Sequence, residues 1–137
     1  MSRFFITFAA LIGAAGVATG AYQTHGLKNA LERQGVEPSE ISERVTHCKV
    51  AVKFQMYHAL LLLAIGIRAE QSSTRAFYIP AGLVIGGVAL FSGGLYLNVF
   101  TGNLLHWSIV PAGGLSLILG WLSLACCPTR KTLGNSG

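Results

Sequence analysis

Four stretches of this sequence are long, apolar and nearly free of charge. Residues 4–22, 76–100 and 107–127 contain no charged side chain, and residues 48–67 contain only lysines near their start. A helix that crosses the hydrocarbon core of a bilayer needs about 20 mostly apolar residues, and each stretch is long enough. The pattern therefore predicts an all-α membrane protein, with the whole chain of 137 residues folded as one four-helix transmembrane bundle.

The overall composition agrees with a membrane protein. Charged residues make up 11% of the chain, against roughly 25% in soluble domains. Hydrophobic residues make up 52%, so we expect the lipid bilayer to cover part of the surface. The net charge of +5 comes from scattered lysines and arginines beside the apolar stretches. They form no basic stripe with interleaved aromatic residues, which argues against nucleic-acid binding, whereas cations at helix ends suit lipid headgroups.

The first apolar stretch has a competing interpretation as a cleavable signal peptide. Ala18-Thr19-Gly20 is a loose match to the small-residue cleavage site of such peptides. The apolar run is, however, longer than the roughly 7–15 residues of a signal-peptide core. We therefore favour a retained first span.

A polar segment, residues 23–47, separates the first two spans and contains four of the five acidic residues. Gly35 ends a first short helix in this segment, and Pro38 suits the opening turn of a second helix. Apolar side chains then recur at helical spacing, at Ile41, Val45, Cys48 and Val52. We expect an amphipathic helical loop that lies partly on the bilayer surface and leads without a break into the second span.

Charge does not decide the orientation of the chain. Four spans place both termini on the same side of the membrane, and each side carries five basic residues. The positive-inside rule therefore does not decide which side is cytoplasmic. Because the basic residues are denser per loop residue on the terminal side, we expect both termini to be cytoplasmic.

Small residues recur at helical spacing in three of the spans. The stripes are Ala9, Gly13, Gly16 and Gly20 in the first span, Gly82, Gly86, Ala89 and Gly93 in the third, and Gly113, Ser116, Gly120 and Ser123 in the fourth. Helices in lipid associate where small residues let their backbones approach, so each stripe predicts a helix-packing surface. The simplest interpretation is packing within one chain. Alternatively, one stripe faces a second copy in a homo-oligomer, or another membrane protein.

Three polar side chains, His47, Gln55 and His58, share one face of the second span. Polar groups at membrane depth are costly and often mark functional sites, so this face is a candidate ligand or proton site. The competing interpretation is structural. A neutral histidine and a glutamine can form hydrogen bonds across helices and so hold the packing, with Ser92, Asn98, Ser116 or backbone carbonyl groups as partners.

Few residues suggest catalysis or metal binding. His47 and His58 are eleven residues apart, which is about 16 Å along a helix, and we predict no metal site and no cofactor. The chain has no aspartate, and none of its five glutamates falls within a span, which argues against a carboxylate-dependent ion carrier. No paired carboxylates, nucleophile–base pair or phosphate-binding glycine loop is present in the sequence. We therefore predict that the protein is not an enzyme.

The three cysteines do not form a redox or metal motif. Cys48 and Cys126 are expected near opposite membrane faces, about 30 Å apart, which is too far for a disulfide within one chain. Cys126 and Cys127 close the fourth span as small apolar residues, with acylation in a eukaryotic cell as the alternative.

Four blocks of the sequence form a recognisable series. They are Gly20-Ala21-Tyr22-Gln23-Thr24-His25-Gly26-Leu27, Phe54-Gln55-Met56-Tyr57-His58-Ala59-Leu60, Leu90-Phe91-Ser92-Gly93-Gly94-Leu95-Tyr96-Leu97, and Pro111-Ala112-Gly113-Gly114-Leu115 with Gly120-Trp121. Together they resemble the DUF423 family, whose signature G-A-F-G-A-H-G-L matches the first block. That family includes the small bacterial inner-membrane proteins called UPF0382 and the eukaryotic transmembrane protein 256. The sequence departs from the family at Gln23-Thr24, where Gly-Ala is usual, and at Gly94, where Ser is usual.

The resemblance implies a multi-pass protein of the bacterial inner membrane and implies no particular activity. It argues against cleavage of the first span, because the first block begins at the end of that span. The bulk of Gln23-Thr24 puts a tight backbone turn at this place in doubt. Five polar residues in the matching blocks form the candidate intramembrane cluster: His25, Gln55, His58, Ser92 and Tyr96.

Three hypotheses of function remain open from the sequence. The first is a non-enzymatic membrane protein that acts through partners, lipid or a larger complex. The second is a carrier or channel for a small solute, with His58, Gln55 and Tyr96 along a polar path. The third, which we favour least, is an enzyme that acts on a lipid or quinone at headgroup level near His25 and Lys53.

Overall fold

The computed structural model describes residues 2–71, 75–103 and 108–127, and these contain helices and no β-strand. The elements are α1 (Ser2–Tyr22), a π-helical segment (Gln23–Leu27), α2 (Lys28–Arg33), α3 (Pro38–Gln71), a 3-10 turn (Arg75–Phe77), α4 (Tyr78–Thr101) and α5 (Ile109–Ala125). Trp107 at the predicted start of the fourth span, and Pro128 beyond its end, lie outside the described residues. The predicted all-α fold is confirmed.

Three helical runs are long and apolar enough to cross a membrane, namely Arg3–Arg33, Pro38–Gln71 and Arg75–Thr101. They contain all of the residues of the first three predicted spans. The last helix, α5, is apolar but shorter, with 17 residues. Length and composition therefore identify three helices of the described chain as candidate membrane spans.

The end of the first span differs from the sequence-based expectation of a separate short helix after Tyr22. The chain continues through a π-helical segment into α2, and Gly35, with a φ of +73°, follows the end of this run. The hydroxyl of Thr24 donates to the carbonyl oxygen of Gly20 at 2.9 Å, which keeps its side chain on the helix. A Cβ atom on Gly26 would lie 3.1 Å from the ring of Tyr22. The first family-like block thus forms a widened helical turn, not a tight loop.

Helix α3 joins the polar and apolar parts of the chain without a break, as predicted. Its 34 residues give a length of about 51 Å. The early part buries Ile41 and Cys48 in a cluster with Leu27, Leu31 and Val99. That cluster fixes α2 and the end of α4 to α3. The expectation that this part lies on the bilayer surface stays a prediction.

The long helices contact one another in chain order. Helix α3 packs between α1 and α4, and α5 packs on α4. Among the described residues, α1 and α4 make no extensive contact, and neither do α3 and α5. The helices therefore form an open row, and closure into the predicted four-helix bundle is not confirmed.

The main apolar core joins the start of α1 to α3, α4 and α5. Its buried members are Phe5, Ala9, Leu62, Ile65, Phe77, Ala81, Val84, Val88 and Leu117. Gly66 permits this approach, because a Cβ atom there would lie 3.2 Å from the backbone nitrogen of Ile6. Gly66 belongs to none of the three predicted small-residue stripes.

The small residues of α1 lie against α3. A Cβ atom on Gly16 would be 2.7 Å from the sulfur of Met56, and one on Gly20 would be 3.4 Å from Val52. Gly13 faces the Cβ atom of Ala59 at 4.0 Å. This stripe therefore lies at a contact within the chain.

Helices α4 and α5 also approach through glycine. Added Cβ atoms would lie 3.0 Å from the backbone nitrogen of Leu117 at Gly87, 2.9 Å from Val110 at Gly94, and 3.0 Å from Val84 at Gly120. At Gly113 the added atom would overlap the backbone of Phe91 and lie 2.9 Å from the carbonyl carbon of Leu90. The added atom would clash with backbone atoms of α4, so moving a side chain could not relieve the clash.

The stripe predicted for the third span is not the one that packs within the chain. A Cβ atom on Gly82, Gly86 or Gly93 would meet no atom of the described chain within 4 Å. Glycine is doubled at 86–87 and again at 93–94, so α4 carries two neighbouring stripes about 100° apart. Helix α5 packs against Gly87 and Gly94, and the predicted stripe is left uncovered.

We predict that Gly113→Ala lowers the free energy of unfolding by about 1–3 kcal/mol, because the added methyl group overpacks the α4–α5 contact. The matched control is Gly114→Ala, whose added atom would sit at an ordinary 3.7 Å from the ring of Phe91. Thermal unfolding in detergent would compare the two variants. Equal melting temperatures would show that α5 does not pack in this register.

Candidate functional site

The side chain of Gln55 joins three helices. It is 6% exposed, and its Nε2 donates to the carbonyl oxygen of Ile12 in α1 at 2.8 Å. Its Oε1 accepts a hydrogen bond of 2.6 Å from the hydroxyl of Tyr96 in α4. One amide on α3 thus uses a donor and an acceptor to link the helices on either side.

Ser92 adds a second polar link between α3 and α4. Its side chain is 1% exposed and donates to the carbonyl oxygen of Ala51 at 3.0 Å. Ser92 and Tyr96 are one helical turn apart, as are Ala51 and Gln55. The two hydrogen bonds therefore fix the register of α4 along α3.

His58 is held at both ring nitrogens. Its Nδ1 lies 2.7 Å from the carbonyl oxygen of Phe54, and because a carbonyl only accepts, Nδ1 carries the hydrogen. The indole nitrogen of Trp121 donates to the lone pair of Nε2 at 3.2 Å, so one ring nitrogen donates a hydrogen bond and the other accepts one. The side chain is 5% exposed, which leaves no open face for a solute.

Sequence reasoning missed Trp121 as the partner of His58. The two residues lie on α3 and α5, which otherwise make little contact. Trp121 stands in a family-like block, but its distance in sequence gave no sign of this pairing. Only the packing of both helices on α4 brings the two rings to a centroid distance of 6.3 Å.

His47 of α3 and Asn98, near the C-terminal end of α4, form a further polar contact. The Nδ1 of His47 lies 2.7 Å from the side-chain oxygen of Asn98. Asn98 is one of the partners predicted from the sequence for a structural role of this face. His47 also approaches Glu43, with 3.9 Å between Nε2 and the carboxylate.

Arg44 is a charged residue that is only 8% exposed, and it is not among the site residues predicted from the sequence. Its Nε donates to the carboxylate of Glu40 at 3.1 Å, and its Nη1 approaches the carbonyl oxygen of Val99 at 3.5 Å. Gly102, with a φ of +74°, ends α4 beside this guanidinium group. A cation at the last carbonyls of a helix is favourable, so Arg44 caps α4. The spacing of Glu40 and Arg44, four residues apart, was the available signal.

His25 is separate from the other four members of the candidate cluster. It lies in the π-helical segment and is exposed. No hydrogen bond in the described chain joins it to Gln55, His58, Ser92 or Tyr96. The structure therefore brings together Gln55, Ser92 and Tyr96 as a polar group between α3 and α4, and places His58 one turn away.

A groove of about 330 Å³ lies between α1 and α4, with α3 as its floor. Leu11 and Ala15 line its α1 side, and Ala89 and Gly93 line its α4 side. Gln55 lies at the floor of this groove, but its amide is already engaged by Ile12 and Tyr96. The groove is therefore an apolar surface above a satisfied polar group.

No metal-binding arrangement is found in the part of the chain that the structure describes. Within residues 2–71, 75–103 and 108–127, no three His, Cys, Asp or Glu side chains converge on one point. Every buried side-chain nitrogen and oxygen in these ranges has a hydrogen-bond partner. The site therefore has no orphaned polar atom that would indicate a missing ligand.

Comparison with known proteins places the chain in a family. The model of the family described as "Protein of unknown function (DUF423)" matches residues 19–114. The chain belongs to this family. The match covers the first three of the sequence blocks and the start of the fourth, including all five residues of the candidate cluster.

Several relatives carry the name UPF0382 membrane protein. One from Staphylococcus saprophyticus is 36% identical over 122 residues, 89% of this chain and 93% of the relative. One from Haemophilus influenzae is 32% identical over 126 residues, 91% of this chain and 93% of the relative. The UPF0382 inner membrane protein YgdD of Escherichia coli is 31% identical over 121 residues, 88% of this chain and 85% of its own length. No solved structure matches the chain.

We predict that Tyr96→Phe lowers the free energy of unfolding by about 0.6 kcal/mol and by no more than about 1.7 kcal/mol, the average and the maximum for hydrogen bonds between membrane helices. The substitution removes only the hydroxyl that donates to Gln55. The control is Tyr57→Phe, because Tyr57 is exposed on α3 and its hydroxyl makes no hydrogen bond in the described chain. Unfolding in mixed detergent micelles would be measured for both, and equal stabilities would contradict the role assigned to the Gln55–Tyr96 bond.

Proposed function

We propose that the protein is a non-enzymatic, multi-pass membrane protein that acts through a lipid chain or a partner helix bound in the groove between α1 and α4. The groove is the observation that carries this proposal. It is apolar, it is bordered by two helices that do not touch extensively, and α4 leaves Gly82, Gly86 and Gly93 uncovered on its surface. Such a surface supports close approach of a hydrocarbon chain or another backbone.

The polar group beneath the groove supports a structural role for its residues. Gln55 and Tyr96 bond to each other, and Ser92 bonds to the backbone of α3. His58 is engaged at both ring nitrogens. A carrier or channel for a small solute, the alternative role, would need polar groups free to exchange partners along a path. The geometry therefore favours partner or lipid binding over transport.

The proposal is tested by placing a photo-crosslinking amino acid at Ala89, which lines the groove, and at Leu119, which is exposed on α5. We expect a discrete adduct at position 89 after irradiation in membranes, and only diffuse lipid labelling at position 119. Mass analysis of the adduct would distinguish a lipid from a protein partner. The same diffuse labelling at both positions would refute the proposal.

We further propose that α5 is a fourth span and that the protein lies in a bacterial inner membrane with both termini cytoplasmic. The 17 described residues of α5 reach the lower limit of about 17 residues for a spanning helix. The name of the Escherichia coli relative supports the inner membrane as the location.

Two fusions of a topology reporter test this arrangement. A reporter attached after Asn103, between α4 and α5, should be periplasmic, and one attached at the C-terminus should be cytoplasmic. The two positions differ only by the presence of α5. Reporters on the same side would show that α5 does not cross the membrane, and a periplasmic C-terminus with a cytoplasmic reporter at 103 would reverse the proposed orientation.

A further inference from the structure

A second concave site lies at the N-terminal part of α3, whereas the main apolar core contacts the C-terminal part of this helix. A cleft of about 510 Å³ opens between α2 and the first turns of α3. Its charged residues are Lys28 and Glu32 on α2 and Lys49 on α3. The cleft does not share a lining residue with the α1/α4 groove.

The helix register places the inner end of this cleft at a membrane face. Gly20 of α1 lies against Val52 of α3, so the end of α1 at Tyr22 is level with the residues just before Val52. Lys49 is one of these residues. The ring of Tyr22 lies 6.4 Å from that of Phe100, and aromatic residues of this kind favour the interface between hydrocarbon and headgroups. Lys49 therefore lies at headgroup level.

The charges in the cleft are only partly neutralised. Lys28 and Glu32 are 3.8 Å apart in an exposed pair, which contributes little binding energy between them. Lys49 forms no ion pair or hydrogen bond with any described residue. The three charged groups thus leave one uncompensated positive charge in the cleft, on the side chain nearest the hydrocarbon.

The walls between these charges are apolar, with hydroxyl groups beside them. Val36, Ile41 and Val45 line the cleft. Ser42 and Thr46 add hydroxyl groups, and that of Thr46 donates to the carbonyl oxygen of Ser42 at 2.9 Å. A hydrated free anion gains nothing from valine and isoleucine, whereas the glycerol and upper acyl carbons of a lipid do.

We propose that this cleft binds the headgroup of an anionic phospholipid. The phosphate lies between Lys49 and Lys28, and the glycerol backbone lies on Val45 and Ile41. Lys53, one turn deeper on α3 with its nitrogen 5.9 Å from the ring centroid of Tyr57, keeps the approach to the cleft positive. This site is distinct from the groove between α1 and α4, so the two proposals fail independently.

The test measures binding of phosphatidylglycerol to the full-length protein in detergent, by titration with native mass spectrometry. We expect Lys49→Gln to weaken binding roughly fivefold, the effect of one basic residue at a membrane surface, and Lys28→Gln to weaken it to a similar degree. The matched control is Arg33→Gln, which removes an exposed cation of α2 that does not line the cleft. Circular dichroism would establish that all variants are folded.

Two further titrations identify the ligand. A large excess of inorganic phosphate should not displace the lipid, because the apolar walls bind only the lipid. Phosphatidylethanolamine should bind more weakly than phosphatidylglycerol. Equal loss of binding in Lys49→Gln and Arg33→Gln, displacement by phosphate, or equal affinity for the zwitterionic lipid would each overturn the proposal.

Discussion

The hydrogen bonds of the Gln55 side chain determine how the first three long helices lie against one another. A buried amide in a hydrocarbon environment must have both its donor and its acceptor satisfied, since no water is available to replace a lost partner. Gln55 meets this requirement only when Ile12 of α1 and Tyr96 of α4 are at the correct height on either side of α3. The apolar contacts of the core tolerate small slides along the helix axes, whereas these two bonds do not. The polar side chains that predicted a ligand or proton site in the sequence therefore fix the register of the helices in the structure.

Close approach of backbones is the second constraint, and it explains why the molecule retains an uncovered face. Helix α5 packs on the Gly87 and Gly94 side of α4, through Gly113 and Gly120 of its own. Because α3 occupies another side of α4, the stripe of Gly82, Gly86 and Gly93 faces neither neighbour. Small residues are the ones that let another helix or an apolar chain approach closely in lipid. The same surface is available to a partner that can approach more closely than lipid does.

The proposed binding surfaces differ in depth and in chemistry. The groove between α1 and α4 is apolar and lies at the level of Gln55, well within the candidate spans. The cleft between α2 and α3 carries Lys28 and Lys49, and it begins at the level of the end of α1, where Gly20 lies against Val52. The unbroken helix α3 contributes to both, and Arg44 fixes the end of α4 to α3 beside the cleft. Binding of a headgroup at the cleft and of an apolar group in the groove are therefore compatible on one chain.

The sequence by itself determined the helical character of the chain, the positions of three long apolar helices, the unbroken course of α3 and the family, because apolar run length and helical periodicity are local properties. It also selected Gln55, Ser92 and Tyr96, since polar residues inside apolar runs are conspicuous. It could not choose between the doubled glycines of α4, pair His58 with Trp121, or separate His25 from the cluster. Those outcomes depend on which faces meet across distant segments. Only the tertiary structure decided them, because a rotation of about 100° between adjacent residues changes the neighbour of every side chain without changing the pattern along the sequence.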